Sequence, residues 1–351
     1  NTTASDVAVG SVNSNLDNTA KAIQFAVDNA TAGNTTVRVG PGTYNGSVSV
    51  TNNLTLEGPN AGIAGDSGIR GAEATINGGL RIGGGSNAED NEVSEAVIDG
   101  VDINGTSSGI NAGNVRVGTQ AIVGNVTIRN SVINTTAGPA GANIEAQEVT
   151  NLDINHNTFG KNSGGVLVAV NLPETTVKSL EIENNTLVGV GRLFNNVGFK
   201  DGRGITSTTV EIVDNDVSGA GTAIGVGGVS PDVSTNPNYT ISGNKIDASD
   251  TGIVLNDGTV NSFNVKNNEF SDSDVHVDDS TGSVDLDAIL NDQGNTFDRA
   301  VTVKDSSGNI TSNRIRSSIQ PAADAASSDQ TVSVGPGTYN ESVTIGTDNV
   351  T

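Results

Sequence analysis

Apolar residues along this chain fall into a recurring frame, apolar-x-(Ile/Val)-x-x-Asn-x-apolar. It fits LDINHNTF (152–159), LEIENNTL (180–187), VEIVDNDV (210–217), YTISGNKI (239–246) and FNVKNNEF (263–270). It returns in looser form in LNDQGNTF (290–297) and GNITSNRI (308–315). Within one frame, Leu180 and Ile182 alternate with the period of two that puts side chains on one face of a strand. Leu187 breaks that alternation after a short polar corner, which fits a bend rather than a longer strand. Each unit therefore reads as strand, corner, strand.

The frames place Asn157, Asn185, Asn215, Asn244, Asn268, Asn295 and Asn313 at one matching position, 18 to 30 residues apart. Upstream, VTIRNSVI (126–133) and AVIDGVDI (96–103) keep the apolar spacing, with Ser131 and Val101 at the asparagine position. A short strand-turn-strand unit repeated at this period predicts a solenoid. Asparagine tolerates left-handed backbone and bonds local backbone groups. Stacked at roughly 4.8 Å, such amides also bond one another up the stack. The seven asparagines are thus predicted to form a structural ladder along an all-β parallel β-helix.

At the amino-terminal end, 18–30 (NTAKAIQFAVDNA) reads as a short helix, with Asn18 as its N-cap and Ile23, Phe25, Ala26 and Val27 as its apolar stripe. A solenoid exposes its core at each end, so the helix is predicted to cap the stack. Three short strands follow in 36–58, around a Gly-Pro-Gly turn and an Asn-Asn corner. AIQFAVDNA (22–30), VRVGPGTY (37–44) and SVTNNLTLEG (49–58) resemble the first coil of pectin-lyase-like right-handed parallel β-helix proteins, haloarchaeal surface proteins among them. With the repeated coils, the resemblance covers most of the chain. It implies a right-handed β-helix, and it leaves activity open, because this fold carries lyases, hydrolases, adhesins and structural proteins alike.

The opening module returns in 318–351, where Gly335-Pro336-Gly337-Thr338-Tyr339 repeats Gly40-Pro41-Gly42-Thr43-Tyr44. The expected organisation is an N-terminal segment with capping helix (1–35), a parallel β-helix (36–316) and a repeat of the opening module (317–351). Two readings of that repeat stand side by side: the start of a second tandem unit, or a first-coil-like surface offered to another subunit. A start at Asn1 rather than Met is expected of a processed or trimmed form.

Composition narrows the function classes. Of 351 residues, 40 are acidic and 17 basic, giving a net charge of −23. Nucleic acid is excluded as a partner, because phosphate neutralisation needs clustered Lys and Arg. Excess acid with little lysine is the halophile pattern, since molar salt shortens the screening length to about 3 Å. The absence of cysteine removes disulfides, thiol catalysis and thiolate metal sites. No apolar run reaches the ~18 residues of a membrane span.

Thirteen Asn-x-Ser/Thr sequons are candidate glycan acceptors on an exported protein: Asn1, Asn29, Asn34, Asn45, Asn53, Asn104, Asn125, Asn134, Asn184, Asn238, Asn309, Asn340 and Asn349. In so Asn- and Ser/Thr-rich a chain this is a mild excess over chance.

Catalytic chemistry finds little to stand on. Of the two histidines, His156 occupies a corner filled elsewhere by Asn130, Asn184, Asp214, Gly243, Asn267 and Gly294, and His276 lies in DVHVDD (274–279). Both read as solvated loop or corner residues. Asp153, Glu181 and Glu211 share an outward strand position and are predicted to stack on three successive coils. Asp272, Asp274, Asp278 and Asp279 form a second acidic cluster. Both groups are candidate cation sites, for Ca2+ or for diffuse screening cations, although no calcium-loop motif appears.

Paired carboxylates also serve glycoside hydrolysis. The signature set of polygalacturonase-like β-helix hydrolases is missing here, and only Arg314-Ile315-Arg316 and Asp278-Asp279 echo it. Arg116, Arg129, Arg192 and Arg203 are available as the catalytic arginine of a calcium-dependent lyase, but nothing in the sequence places one beside an acidic cluster. The Gly-rich patch 81–91 lacks a phosphate-loop ending and is read as a loop. No catalytic residue or cofactor is assigned. The expectation is a structural extracellular surface protein, self-associating into a filament, surface layer or adhesin stalk, with surface glycans as further partners. A polysaccharide lyase or glycoside hydrolase is the alternative.

Overall fold

The structure is a computed structural model that describes residues 6–9, 20–30, 35–83, 93–105, 115–117, 123–135, 142–146, 149–160, 164–168, 177–189, 191–196, 208–226, 237–256 and 260–351. It is a parallel β-helix. One face is a ten-stranded parallel sheet running in chain order from Asp6–Val9 and Thr35–Val39 through Val149–Asn155 and Val177–Glu183 to Ser262–Lys266. The other strands form one larger sheet with two ladders. One ladder begins at Gly42–Asn45 and continues through Ala74–Asn77 and Asp102–Gly105. The second begins at Val48–Val50 and continues through Leu80–Ile82 and Val115–Val117. The long strands Asp216–Val226 and Lys245–Leu255 bend from one ladder into the other. Each coil therefore turns through three faces around a narrow core.

The frame explains the packing. In Thr209–Val213, Val210 and Ile212 are buried while their neighbours face outward. The same two positions hold Leu152 and Ile154, Leu180 and Ile182, and Tyr239 and Ile241, paired coil on coil. Each inward position thus stacks on its counterpart, and burial of apolar area, at about 25 cal/mol per Å2, accumulates by rows.

Three short helices interrupt the strands. Helix α1 (Lys21–Asp28) caps the first coil by burying Ile23, Ala26 and Val27. It differs from expectation at both ends of the prediction. Ala20 holds the N-cap position without a side-chain bond, Asn18 lies outside the described residues, and Phe25 is 71% exposed. The i, i+3, i+4 spacing of Ile23, Ala26 and Val27 turns Phe25 away from the coil. Helix α2 (Leu286–Asn291) stands where the frame 290–297 predicts another first-face strand, and it buries Leu286 and Ile289. Its N-cap Asp285 accepts from Ala288 N at 3.0 Å. Helix α3 (Gln320–Ala325) begins the terminal module.

Parallel pairing ends at Thr296–Phe297. Beyond it, Arg314–Arg316 pairs antiparallel with Val275–Asp279, and Thr331–Val334 pairs antiparallel with Val301–Lys304. The parallel β-helix is therefore shorter than the expected span to 316.

The segment 58–73 runs as a strap along the corner edge. Gly62 N donates to Asp99, Gly65 N to His156 O, and Thr186 Oγ1 to Asp66. Arg70 is buried within it, its Nη1 donating to Ile63 O and Asn130 O at 2.7 Å each and its other nitrogens gripping Glu73. Nothing in the periodic frame announces this feature.

Candidate functional site

The corner of each coil is built from two adjacent residues with separate tasks. Asn130, His156, Asn184, Asp214, Gly243, Asn267 and Gly294 all adopt left-handed backbone, φ 53° to 71°. This turn makes the chain leave the first face, and the types found there are those that tolerate it. The repeat frame assigns the left-handed role to the ladder asparagines. The structure gives it to the residue before each, and it leaves the ladder side chain free to bond along the axis.

That bonding is complete. Asn185 Oδ1 accepts from Asn157 N at 2.9 Å and from Asn157 Nδ2 at 3.1 Å. Asn185 Nδ2 donates to Ile154 O at 2.8 Å and onward to Asn215 Oδ1 at 3.0 Å. The pattern repeats through Asn215, Asn244 and Asn268, all about 1% exposed. It ends at Asn295, whose Oδ1 accepts from Asn268 and whose Nδ2 donates to Val265 O and Ile289 O. Upstream, Ser131 N donates to Asn157 Oδ1 and Val101 N to Ser131 Oγ, so the substitute at Ser131 carries the row one coil further. Asn313 is not in this row. It has φ 51° and leads into an antiparallel strand, where no parallel coil stacks on it.

Asp153, Glu181 and Glu211 are brought together: they are direct partners on adjacent strands of the first face. Thr127 and Thr240 bound the column on either side. Burial raises the Glu181 pKa, and the charges of Asp153, Glu183 and Glu211 raise it further. The second acidic group is not a cluster in space. Asp278 pairs with Arg314 at 2.9 Å, and Asp272 lies 3.8 Å from Arg299. Asp274 lends its backbone carbonyl to Ser317. Asp279 is buried and accepts from Thr281 N and Val284 N, which closes its own turn. Among the described residues, no three His, Asp or Glu side chains converge to hold a metal ion.

The two histidines separate. His156 is the exposed corner residue expected, with φ 55°. His276 is fully buried, contrary to its reading as a solvated residue. It packs against Phe270 and Phe297, and its Nε2 lies 2.7 Å from Arg299 O and 3.2 Å from Asp298 Oδ1. Burial lowers its pKa, while the Asp298 carboxylate opposes that shift. Strand Val275–Asp279 breaks the alternation, since His276 and its neighbour Val277 are both buried, and no periodic pattern announces the histidine's burial.

Of the sequon asparagines, Asn29, Asn45, Asn125, Asn184, Asn309, Asn340 and Asn349 are exposed. Asn53, Asn104, Asn134 and Asn238 are half-buried, and Asn53 is engaged with Ser94 and Glu95. Asn1 and Asn34 lie outside the described residues. The same holds for Arg203, for most of the Gly-rich patch and, in side-chain terms, for Arg116. Arg129 is committed to Asp99 at 2.8 Å.

The terminal module repeats the glutamine and tyrosine bonds of the opening one, although its strand Thr331–Val334 pairs antiparallel and Glu341, which accepts from Ile319 N and Gln320 N, stands in place of Gly46. Gln24 Nε2 donates to Ser49 O and Asp28, and Ser49 N donates back to Gln24 Oε1. Gln320 makes the matching set with Thr344 O, Asp324 and Thr344 N. Tyr44 donates to Gly40 O at 2.9 Å, and Tyr339 to Gly335 O at 3.1 Å. The repeated sequence thus folds into a second helix-capped coil.

No protein-family model and no curated protein matches this chain. What the arrangement offers is a β-helix core with an amide row inside, a carboxylate column outside and two matching end modules. Among the described residues, no helix is long and apolar enough to cross a membrane.

Proposed function

We propose that this chain is a structural protein of the extracellular surface, of the pectin-lyase-like β-helix type found in haloarchaea. It acts as a rod subunit of a filament, surface layer or adhesin stalk. The observation that carries this reading is the duplication of the first-coil module in 318–351, where Gln320 and Tyr339 are bonded as Gln24 and Tyr44 are. Val334, Val343 and Ile345 are 46, 41 and 55% exposed, whereas their counterparts Val39, Val48 and Val50 are 3, 0 and 0% exposed. Exposed apolar residues of this kind invite association. The net charge of −23 sets the condition, because molar salt screens repulsion between such acidic rods.

Light scattering of the full chain in low and molar salt tests the proposal. Mass is expected to rise with salt in the native chain and to stay at one chain in Val343→Asp/Ile345→Asp. Equal masses for both proteins at every salt concentration contradict it.

A polysaccharide-cleaving enzyme is the second reading, favoured by the Asp153–Glu181–Glu211 column with its raised Glu181 pKa. Release of reducing or unsaturated sugars from uronate polysaccharides, lost in Glu181→Gln, supports that reading in place of the structural one.

A further inference from the structure

Arg316 is a buried cation without an acceptor. It is 6% exposed, its Nη1 is shielded and has no hydrogen-bond partner, and no ion pair reaches it among the described residues. The topology shows where it lies. Strand Arg314–Arg316 has Val275 directly opposite Arg316 on one side and Val301 on the other. Directly opposed residues leave a sheet on the same face. On that face Val301 packs with Ala322 and Ala326 in a separate core, whereas Ile315 turns the other way, into the core of the parallel coils. The guanidinium is therefore held in the seam between the β-helix and helix α3.

The charge of the seam is unbalanced. Arg314 stands two residues back on the same face, and it holds Asp278 at 2.9 Å. Two guanidiniums thus share one carboxylate, inside a chain of net charge −23. Burial and the Arg314 charge push the Arg316 pKa down, and Asp278 opposes them. A guanidinium does not give up its proton at neutral pH, so deprotonation cannot relieve the burial.

Packing alone does not call for a charge here. Gln320 repeats the bonds of Gln24, and four residues before each stand Arg316 and Ala20. Ala20 is 2% exposed, so a methyl group fills the matching place in the opening module.

We propose that the seam at Arg316 binds one small monovalent anion of the halide class, which fixes the terminal module to the β-helix. Guanidinium is weakly hydrated, and the side chains around the seam, Val275, Val301 and Ala322, are apolar. A sulfate or phosphate needs several charge-assisted donors, more than this seam supplies. Chloride and bromide shed water easily, whereas fluoride holds its hydration shell. Because Nη1 is shielded, the ion enters and leaves when α3 lifts, so binding and opening of the seam are linked.

The inference goes beyond the rod reading and does not rest on it. Its test is the chloride NMR resonance in the presence of the full chain, with amide hydrogen exchange of 320–326. The native chain is expected to broaden the resonance saturably, with bromide reversing the effect and fluoride leaving it. At a chloride concentration about ten times Kd, exchange in 320–326 is expected to be about tenfold slower than in fluoride of equal ionic strength. Arg316→Met is expected to show neither effect. An apolar side chain in place of a buried ion is often neutral or stabilising, and the native-chain comparison stands without the variant.

Broadening that never saturates, or that persists unchanged in Arg316→Met, overturns the inference. So does equal exchange in chloride and fluoride. Growth of mass with every salt, without halide selectivity at the seam, would leave the rod proposal standing and remove this one. Selective halide binding by a chain whose mass never rises would do the reverse.

Discussion

Asn185 holds two donors of the preceding coil with one oxygen: its Oδ1 accepts both the backbone N–H and the side-chain amide of Asn157. The same side chain returns an N–H to Ile154 O. Truncating it leaves two buried donors and one buried acceptor without partners, each costing about 1–3 kcal/mol. Asn185→Ala is therefore expected to destabilise by about 3 kcal/mol or more. Asn185→Asp is expected to be at least as harmful, since it places a carboxylate against Asn215 Oδ1 and Ile154 O. Asn313→Gly, outside the row, is expected to stay within about 0.5 kcal/mol. Denaturant titration of the three variants decides whether the amide row carries stability.

The strap offers a separate test. Arg70 bonds three carbonyls and a carboxylate at once, a forked geometry that lysine cannot reproduce. Arg70→Ala and Arg70→Lys are both expected to lower the melting temperature, with faster amide exchange in 58–73. Retention of wild-type exchange in Arg70→Lys would show that charge alone suffices there.

The carboxylate column predicts a pH and salt signature. A raised pKa means the folded state holds the proton more tightly than the unfolded one, so Glu181 favours folding below its ordinary range and loses that contribution as pH rises through the folded value. Glu181→Gln is expected to melt higher than wild type at neutral pH in low salt. The gap should close on acidification and in molar salt. A gap independent of both would point to packing instead of charge.

His276 works in the opposite direction. Its pKa is lowered, so the unfolded chain takes up the proton first, and stability falls as pH drops below the ordinary histidine value of about 6.5. The charged and titratable groups around it are Asp298 and Arg299, with Asp272 beyond Arg299. His276→Phe, beside the stacked pair Phe270 and Phe297, is expected to remove the part of the acid sensitivity that begins near neutrality. Thermal melts at falling pH, wild type against variant, check the sign.

The regular part of the molecule was legible in the sequence because its rules are local. Alternation of Leu180 and Ile182 and the following asparagine depend only on neighbours along the strand and on identical neighbours one coil away. Legibility failed where the environment stops repeating. Asn313 satisfies the frame but has no parallel coil to stack on, and Leu290 satisfies it from within a helix. His276 and the aspartates of 272–279 read as one acidic loop, yet the histidine is buried against the alternation by Phe270 and Phe297, and turn closure consumes Asp279. The strap failed for another reason: Arg70 makes its contacts 60 residues away, beyond any local pattern.

Electron micrographs of the full chain in molar salt test the central claim most directly. Ten strands of the first face at ~4.8 Å spacing give a stack about 45 Å long per chain. The account predicts unbranched rods many times that length, absent from Val343→Asp/Ile345→Asp. Single particles of one chain's length at every salt concentration, in both proteins, would contradict it.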